Sequence, residues 1–295
     1  MDELSHRYLT TKELANLLRI KERKVYELAA TGDVPCSRAM GKLLFPRDKV
    51  EAWLAASSSG PQSISAPARP AVILGSHEPL LDWALRESRC GLAAYFDSSL
   101  DGLERYAQAG GIATGLHVPN ASGEGWNSEA VRSAVTGQQA VLVEWAKRDR
   151  GFIVPTNNTD GVSDLASTMS RRFVARQSEA GSQLLLSKLL ADAGIDPAQI
   201  HWTTPVRSEA DAAMMVQEGS ADIAFGLSSI ANQFRLGFVP VIQERYDLLI
   251  DRRAWFEPPL QTLVDFCQSD AFQKRAKTLA GYDVSNQFTV QYNAP

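Results

Sequence analysis

Apolar positions recur along this chain with two different periods, and the change from one to the other divides it. Near the start, Thr10 and Glu13 form a Thr-x-x-Glu capping box, and Leu14, Leu17 and Leu18 follow at helical spacing, which predicts a first helix over Thr11–Leu18. Arg19 and Ile20 make a short turn. The spacing of Val25, Leu28 and Ala29 then predicts a second helix over residues 21–31, stopped by Gly32, which can take the left-handed conformation of a helix end. Past Pro35, the stretch CSRAMGKLLFP reads as two short strands flanking Met40-Gly41, a small wing. Pro46 opens a third helix that turns Val50, Trp53 and Leu54 toward a core.

From residue 71 the pattern changes to strands alternating with helices. AVILG at 71–75 precedes a helical pattern near 79–87, GLAAYF at 91–96 precedes one near 100–109, and GIATGL at 111–116 and AVLVEW at 140–145 continue the series. Beyond Gly151 come FIVP, RFVA, the helices QLLLSKLLADAG and EADAAMMVQEG, and the strand ADIAFG at 221–226. This alternation predicts an α/β domain with a mostly parallel sheet, helices on both faces, and two halves rather than one continuous sheet. Between the two patterns, AASSSGPQSISAPARP holds almost nothing that could be buried and reads as a linker. The expected organisation is a small domain at 1–56, a linker at 57–70 and a large domain at 71–295.

With 44% hydrophobic and 22% charged residues among 295, disorder throughout and fibrous structure are excluded. The net charge of -4 gives no global attraction to nucleic acid or anionic lipid, but it is unevenly spread. Residues 1–56 carry ten basic and eight acidic side chains, so only the small domain suits DNA. Cys36, Cys90 and Cys267 lack the spacing of a metal clamp and read as reduced thiols. MDELSHRYLTTKEL lacks the order of a secretion signal, and no apolar run reaches the ~18 residues that span a bilayer. A soluble cytoplasmic protein with no membrane partner is expected.

On the second helix, Arg23, Lys24 and Glu27, with Tyr26 at the flank, face away from the apolar stripe and can reach bases or phosphates. Arg38, Lys42 and Arg47 on or beside the wing suit backbone phosphates. As a whole, YLTTKELANLLRIKERKVYELAATGDVPCSRAMGKLLFPRDKVEAWL resembles the excisionase/MerR-type winged helix-turn-helix of bacterial regulators.

In the large domain, loops rich in serine, glycine and asparagine follow the strands, where ligands of open α/β sheets bind. These loops are Gly75-Ser76-His77, Asp97-Ser98-Ser99, the stretch at His117, Thr156-Asn157-Asn158, residues 178–182 and residues 226–229. Together with ILGSHEPLLDWAL, RFVARQSEAGSQLLLSKLLADAGI and EGSADIAFGLSSIA, they make the domain resemble a periplasmic-binding-protein-like domain of type II, akin to molybdate-binding proteins. The resemblance implies two lobes, about 71–150 with 250–295 and about 151–249, with a ligand between them. It also implies Ser76, His77, Ser99, His117, Arg176, Ser178, Ser182 and Tyr246 as pocket residues. Where such domains carry a threonine–arginine pair this chain has Ser182-Gln183, which weakens the case for a strongly charged ligand.

No nucleophile elbow, phosphate loop or dinucleotide fingerprint is present, so no enzymatic activity and no cofactor are expected. The resulting expectation is a regulator that binds operator DNA as a dimer or dimer of dimers and senses a small polar molecule, with a molybdate- or tungstate-type oxyanion as one candidate. Its rivals are a solute-binding or interaction protein without operator binding and an enzyme on the same bilobal fold.

Overall fold

In the computed structural model, residues 7–39, 41–56 and 69–294 are described. Most of the expected linker and Met40, expected between the two wing strands, lie outside the described residues. The chain forms two compact units, Met1–Ala68 and Arg69–Pro295.

The first unit runs β1 (Tyr8–Leu9), α1 (Thr11–Leu18), α2 (Glu22–Thr31), β2 (Ser37–Ala39), β3 (Lys42–Pro46) and α3 (Arg47–Ala56). The capping box is closed in both directions: Glu13 N–H donates to Thr10 Oγ1 at 3.3 Å, and Thr10 N–H donates to Glu13 Oε2 at 2.7 Å. Arg19, with φ 54°, takes the left-handed turn between the helices. Leu14, Val25, Phe45 and Val50 are fully buried in a core closed by Leu9, Ala15, Ala29 and Val34. Leu17 of the expected apolar stripe instead stands 46% exposed. The wing is larger than its sequence suggests, because β1 pairs antiparallel with β3 to give the order β1-β3-β2. Two residues are too short a run to show a strand period.

The second unit begins β4 (Val72–Gly75), α4 (Pro79–Ser88), β5 (Ala93–Phe96), α5 (Ser99–Ala107), β6 (Ala113–Leu116), α6 (Ser128–Ala134) and β7 (Ala140–Val154). It continues with β8 (Arg172–Phe173), α7 (Gly181–Asp192), β9 (His201–Trp202), α8 (Glu209–Gln217), β10 (Ala224–Leu227), α9 (Ser228–Gln233) and β11 (Gly237–Asp251). It ends with α10 (Pro258–Cys267), α11 (Asp270–Thr278), β12 (Tyr282–Asp283) and β13 (Val290–Asn293).

Two expectations are corrected here. The sheet is mixed rather than mostly parallel: β4 pairs parallel with β5 and β6, whereas β11 pairs antiparallel with both β6 and β7, and β10 antiparallel with β7. The unit's main sheet also runs unbroken through both halves in the order β10-β7-β11-β6-β4-β5, with β12 and β13 also paired to β7, because AVLVEW and FIVP are the two ends of the single 15-residue strand β7, while β8 and β9 form a separate parallel pair. β7 and its partner β11 run through both halves of the unit. Their register is interrupted by irregularities between Pro240 and Ile242 and between Tyr246 and Asp247.

Two lobes form around these shared strands. Lobe one packs its core around Ile73, Leu80, Trp145, Leu248 and Phe272 and around Leu74, Tyr106 and Leu249. Lobe two packs around Phe152, Phe173, Leu186 and Phe225 and around Ile153, Ala213 and Ala231. Cys90 and Cys267 are buried free thiols of the first core. Among the described residues no helix is long and apolar enough to cross a membrane.

Candidate ligand cleft and DNA-facing helix

The ends of β4, β5 and β6 deliver Ser76, His77, Asp97 and His117 to one wall of a cleft of about 160 Å³. Lobe two supplies the other wall through Arg176, the start of α7 at Ala180–Ser182, the start of α8 at Arg207–Ala210, and Leu227 and Ile230. This is the crevice beyond the carboxyl ends of strands where α/β sheets bind ligands. The walls meet closely: a Cβ on Gly181 would lie 2.7 Å from His117 Nε2, so only glycine lets α7 start there.

Five of the eight residues expected in a pocket, Ser76, His77, His117, Arg176 and Ser182, line this cleft. Ser99 stands behind Ser76, their hydroxyl oxygens 2.8 Å apart, and accepts from His117 N–H at 3.2 Å. With that lone pair occupied, the Ser99 hydroxyl can donate to Ser76 and leave the Ser76 hydroxyl free for the cleft. Tyr246 is also behind the wall; its hydroxyl donates to Ser76 O at 2.6 Å, and its ring stacks 5.9 Å from that of His117. Burial pushes the Tyr246 phenol well above its usual range, which keeps that proton in place. Ser178 lines an adjoining groove of about 560 Å³ with Gln183 and Trp202, and Arg176 lies on the wall of both. His77 sits at the rim, half exposed, 3.7 Å from Asp82. The 156–158 loop is not part of the cleft wall.

Beneath the cleft lies a charged cluster that no motif announced. Arg148 and Arg150 of β7 are fully buried, as is Glu244 opposite them on β11. Arg150 donates through Nε to Glu244 Oε2 and through Nη2 to Glu209 Oε1, both at 2.7 Å, while Arg148 grips the other Glu244 oxygen. Arg148 also lies 3.8 Å from Glu78, whose carboxylate accepts from Trp145 Nε1 at 2.7 Å and from Leu81 N–H at 2.6 Å. Burial alone would raise the Glu244 carboxyl, but Arg148, Arg150 and His117 hold it well below the usual range. His117 moves down instead: burial outweighs its pairing with Glu244, whose Oε2 lies 2.9 Å from Nδ1. Positions 148 and 150 share a strand face, which was the available signal. Their carboxylate partners lie 59 to 96 residues away and could not be matched to them from spacing. Arg207 and Glu209, at the start of α8, were not foreseen as wall residues either.

The missing arginine at Gln183 does not leave the cleft without a guanidinium, because Arg176 and Arg207 both line it. Gln183 instead braces the backbone beside the cleft, where its Oε1 accepts from Arg176 N–H at 3.0 Å.

In the first unit, α2 turns Arg23, Lys24, Tyr26 and Glu27 outward. Arg23 is 91% exposed and 3.4 Å from Glu27, Lys24 is 3.2 Å from the same carboxylate, and Tyr26 is 54% exposed. Arg38 and Lys42 are exposed on the wing, and Arg47 lies 3.8 Å from Glu51.

A helix-turn-helix unit with a wing, followed by a two-lobed sheet with a polar cleft, defines a chain that joins a DNA-binding type of domain to a solute-binding type. Residues 8–58 match the family described as a helix-turn-helix domain, and residues 83–268 match the PBP superfamily domain. The chain belongs to the PBP superfamily. It is 22% identical over 293 residues to the uncharacterized protein YvgK of Bacillus subtilis (strain 168), covering 93% of this chain and 94% of that one. Two solved structures share the fold of the large unit. One is the tungstate ABC transporter protein of Geobacter sulfurreducens, 15% identical with a TM-score of 0.50, covering 71% of this chain and 97% of that chain. The other, from Clostridium perfringens, is a substrate-binding protein assigned to a phosphate ABC transporter, with bound phosphate. It is 12% identical with a TM-score of 0.53, covering 75% and 99% of the two chains.

Proposed function

We propose that this protein is a transcriptional regulator whose helix-turn-helix unit binds operator DNA and whose cleft closes on a small polar anion. The observation that carries the ligand class is the state of Arg176. Its guanidinium faces the cleft but is tethered only to neutral carbonyls, Val206 O at 3.1 Å and Arg207 O at 2.8 Å. Glu209, the nearby acid, already has both oxygens engaged, by Arg150 at 2.7 Å and by Leu227 N–H at 3.1 Å. Beside Arg176, α7 begins without any side-chain cap, so its first N–H groups and the positive end of its dipole face the same space. A guanidinium that hydrogen-bonds no carboxylate and an uncapped helix start together favour an anion, with Ser76 and Ser182 as further donors. The role is binding rather than catalysis.

Closure around an anion differs in free energy between bound and free forms, so the ligand can bias how two DNA-binding units of a dimer engage one operator. The test uses the full chain. Binding to a fragment of its own promoter should fall steeply with salt, and an anion that occupies the cleft should shift that affinity. The same anion should raise the thermal midpoint, since ligand at a hundredfold excess over Kd stabilises the folded form by ~2.7 kcal/mol. Tight salt-dependent DNA binding that no anion alters would remove the sensor half of this reading.

A further inference from the structure

The His117 ring has one nitrogen committed and one free. Nδ1 lies 2.9 Å from Glu244 Oε2, and that carboxylate also accepts from Arg148 and from Arg150 Nε and Nη2, the latter two at 2.7 and 2.9 Å. A carboxylate clamped by two guanidinium groups has no proton to give, so the hydrogen between it and the imidazole belongs to Nδ1. In the neutral ring Nε2 is then a bare lone pair. Burial favours the neutral ring, and Arg148 and Arg150 act in the same direction against Glu244. The protonated Tyr246 phenol stacked on the ring adds no charge.

Nε2 has no hydrogen-bond partner among the described residues, and His117 lines the cleft against the start of α7. The donors grouped around it, Ser76, Ser182, Arg176 and the first N–H groups of α7, suit charged oxygens. Nε2 does not: an oxygen bearing only lone pairs would face a lone pair there.

We infer that His117 reads a hydroxyl. Resting on the anion reading above, this narrows the ligand to a small anion that carries an O–H beside its charged oxygens, such as hydrogen phosphate or a 2-hydroxycarboxylate. Anions with acceptor oxygens alone, among them sulfate, acetate, molybdate and tungstate, leave two buried acceptors opposed and bind about 10- to 100-fold more weakly.

Two measurements on the full chain test this. The first compares thermal midpoint shifts at pH 7.5 across concentration series of inorganic phosphate, glycolate, sulfate, acetate and molybdate. Phosphate, glycolate or both should shift the midpoint at concentrations at least tenfold below those needed of the other three, and which of the two succeeds tells an inorganic from an organic source. Sulfate, acetate or molybdate binding as tightly overturns the inference and leaves the anion reading standing. If none of the five shifts the midpoint, both fall. The second measurement reads the tautomer directly by two-bond proton–nitrogen correlation, in a chain where His6, His77 and His201 are replaced by glutamine so that only His117 reports. Expected is a protonated Nδ1 and a bare Nε2; a proton on Nε2 overturns the inference whatever binds.

Discussion

Gln177 reaches from lobe two to lobe one, where its side-chain amide donates to Asp97 Oδ1 at 3.1 Å. The contact joins the loop after β8 to the loop after β5, at the mouth of the cleft. It is a clasp between two bodies otherwise connected chiefly through β7 and β11.

Removing the clasp should favour the open form. Gln177→Ala loses a neutral-to-charged hydrogen bond worth about 1 kcal/mol, so the apparent Kd for whichever of phosphate and glycolate binds should rise roughly fivefold with little change in the unliganded midpoint. An unchanged Kd by titration calorimetry would mean that Asp97 and Gln177 part before the ligand enters.

On α2, Glu27 pairs with Arg23 at 3.4 Å and with Lys24 at 3.2 Å, so under the proposed DNA binding it would compete with phosphates for both cations. Exposed pairs of this kind add little stability, so Glu27→Ala should leave folding almost untouched. The freed cations should tighten binding to any duplex and steepen the dependence of log K on log salt by up to about two units. Arg23→Ala, Arg38→Ala and Lys42→Ala should each flatten that slope by about one unit. Fluorescence anisotropy across a potassium chloride series separates these cases, and a Glu27→Ala slope equal to wild type would place Arg23 and Lys24 away from the phosphates.

The two cleft serines should respond differently. Ser182→Ala removes a hydroxyl with no protein partner among the described hydrogen bonds, so it should weaken anion binding and leave the unliganded midpoint in place. Ser76→Ala also strips Ser99 of its 2.8 Å partner in a buried site, so it should cost about 1 kcal/mol of stability besides the lost affinity. Equal midpoints for the two variants in scanning fluorimetry would show that Ser99 finds another partner.

Asp247 gives the fold a pH dependence of its own. Burial lifts its carboxyl to about 6, against the opposing pull of Arg245 and of Asn127, which donates to it at 2.8 Å. A group whose folded pKa lies above its unfolded value stabilises the fold while protonated, and that contribution fades as pH rises through the folded value. Wild type should therefore gain stability relative to Asp247→Asn as pH falls from 7 to 4, by about 2 kcal/mol. Parallel urea titrations at several pH values read the difference, and a flat difference would mean that the carboxylate is solvated.

The small unit was nearly all legible in sequence because its determinants are local. The Thr10–Glu13 box and Gly32 each act within one turn of the residues they organise. The strands leading to Ser76 and His117 were legible for the same reason, being short apolar runs ending in polar loops. The middle of β7 was not. KRDRG looks like a solvated turn, and it is buried only because Glu244 and Glu209 arrive from distant sequence to neutralise it. β11 was hidden likewise by QERYD, whose Glu244 and Asp247 are buried beside distant partners. Ser178, Ser99 and Tyr246 show the limit of loop position as a guide: it finds the right neighbourhood but not which side chain faces the cavity.

The place of β11 between β7 and β6 also sets an order of events on the ribosome. Nothing in the sheet joins β7 to the first three strands of the large unit until residue 251 has been made, whereas the helix-turn-helix core is complete by Leu54. Domains fold from the amino terminus as they emerge. A nascent or truncated chain would thus own a finished helix-turn-helix unit long before it owns a cleft, so a fragment that keeps the first unit keeps none of the means to sense a ligand.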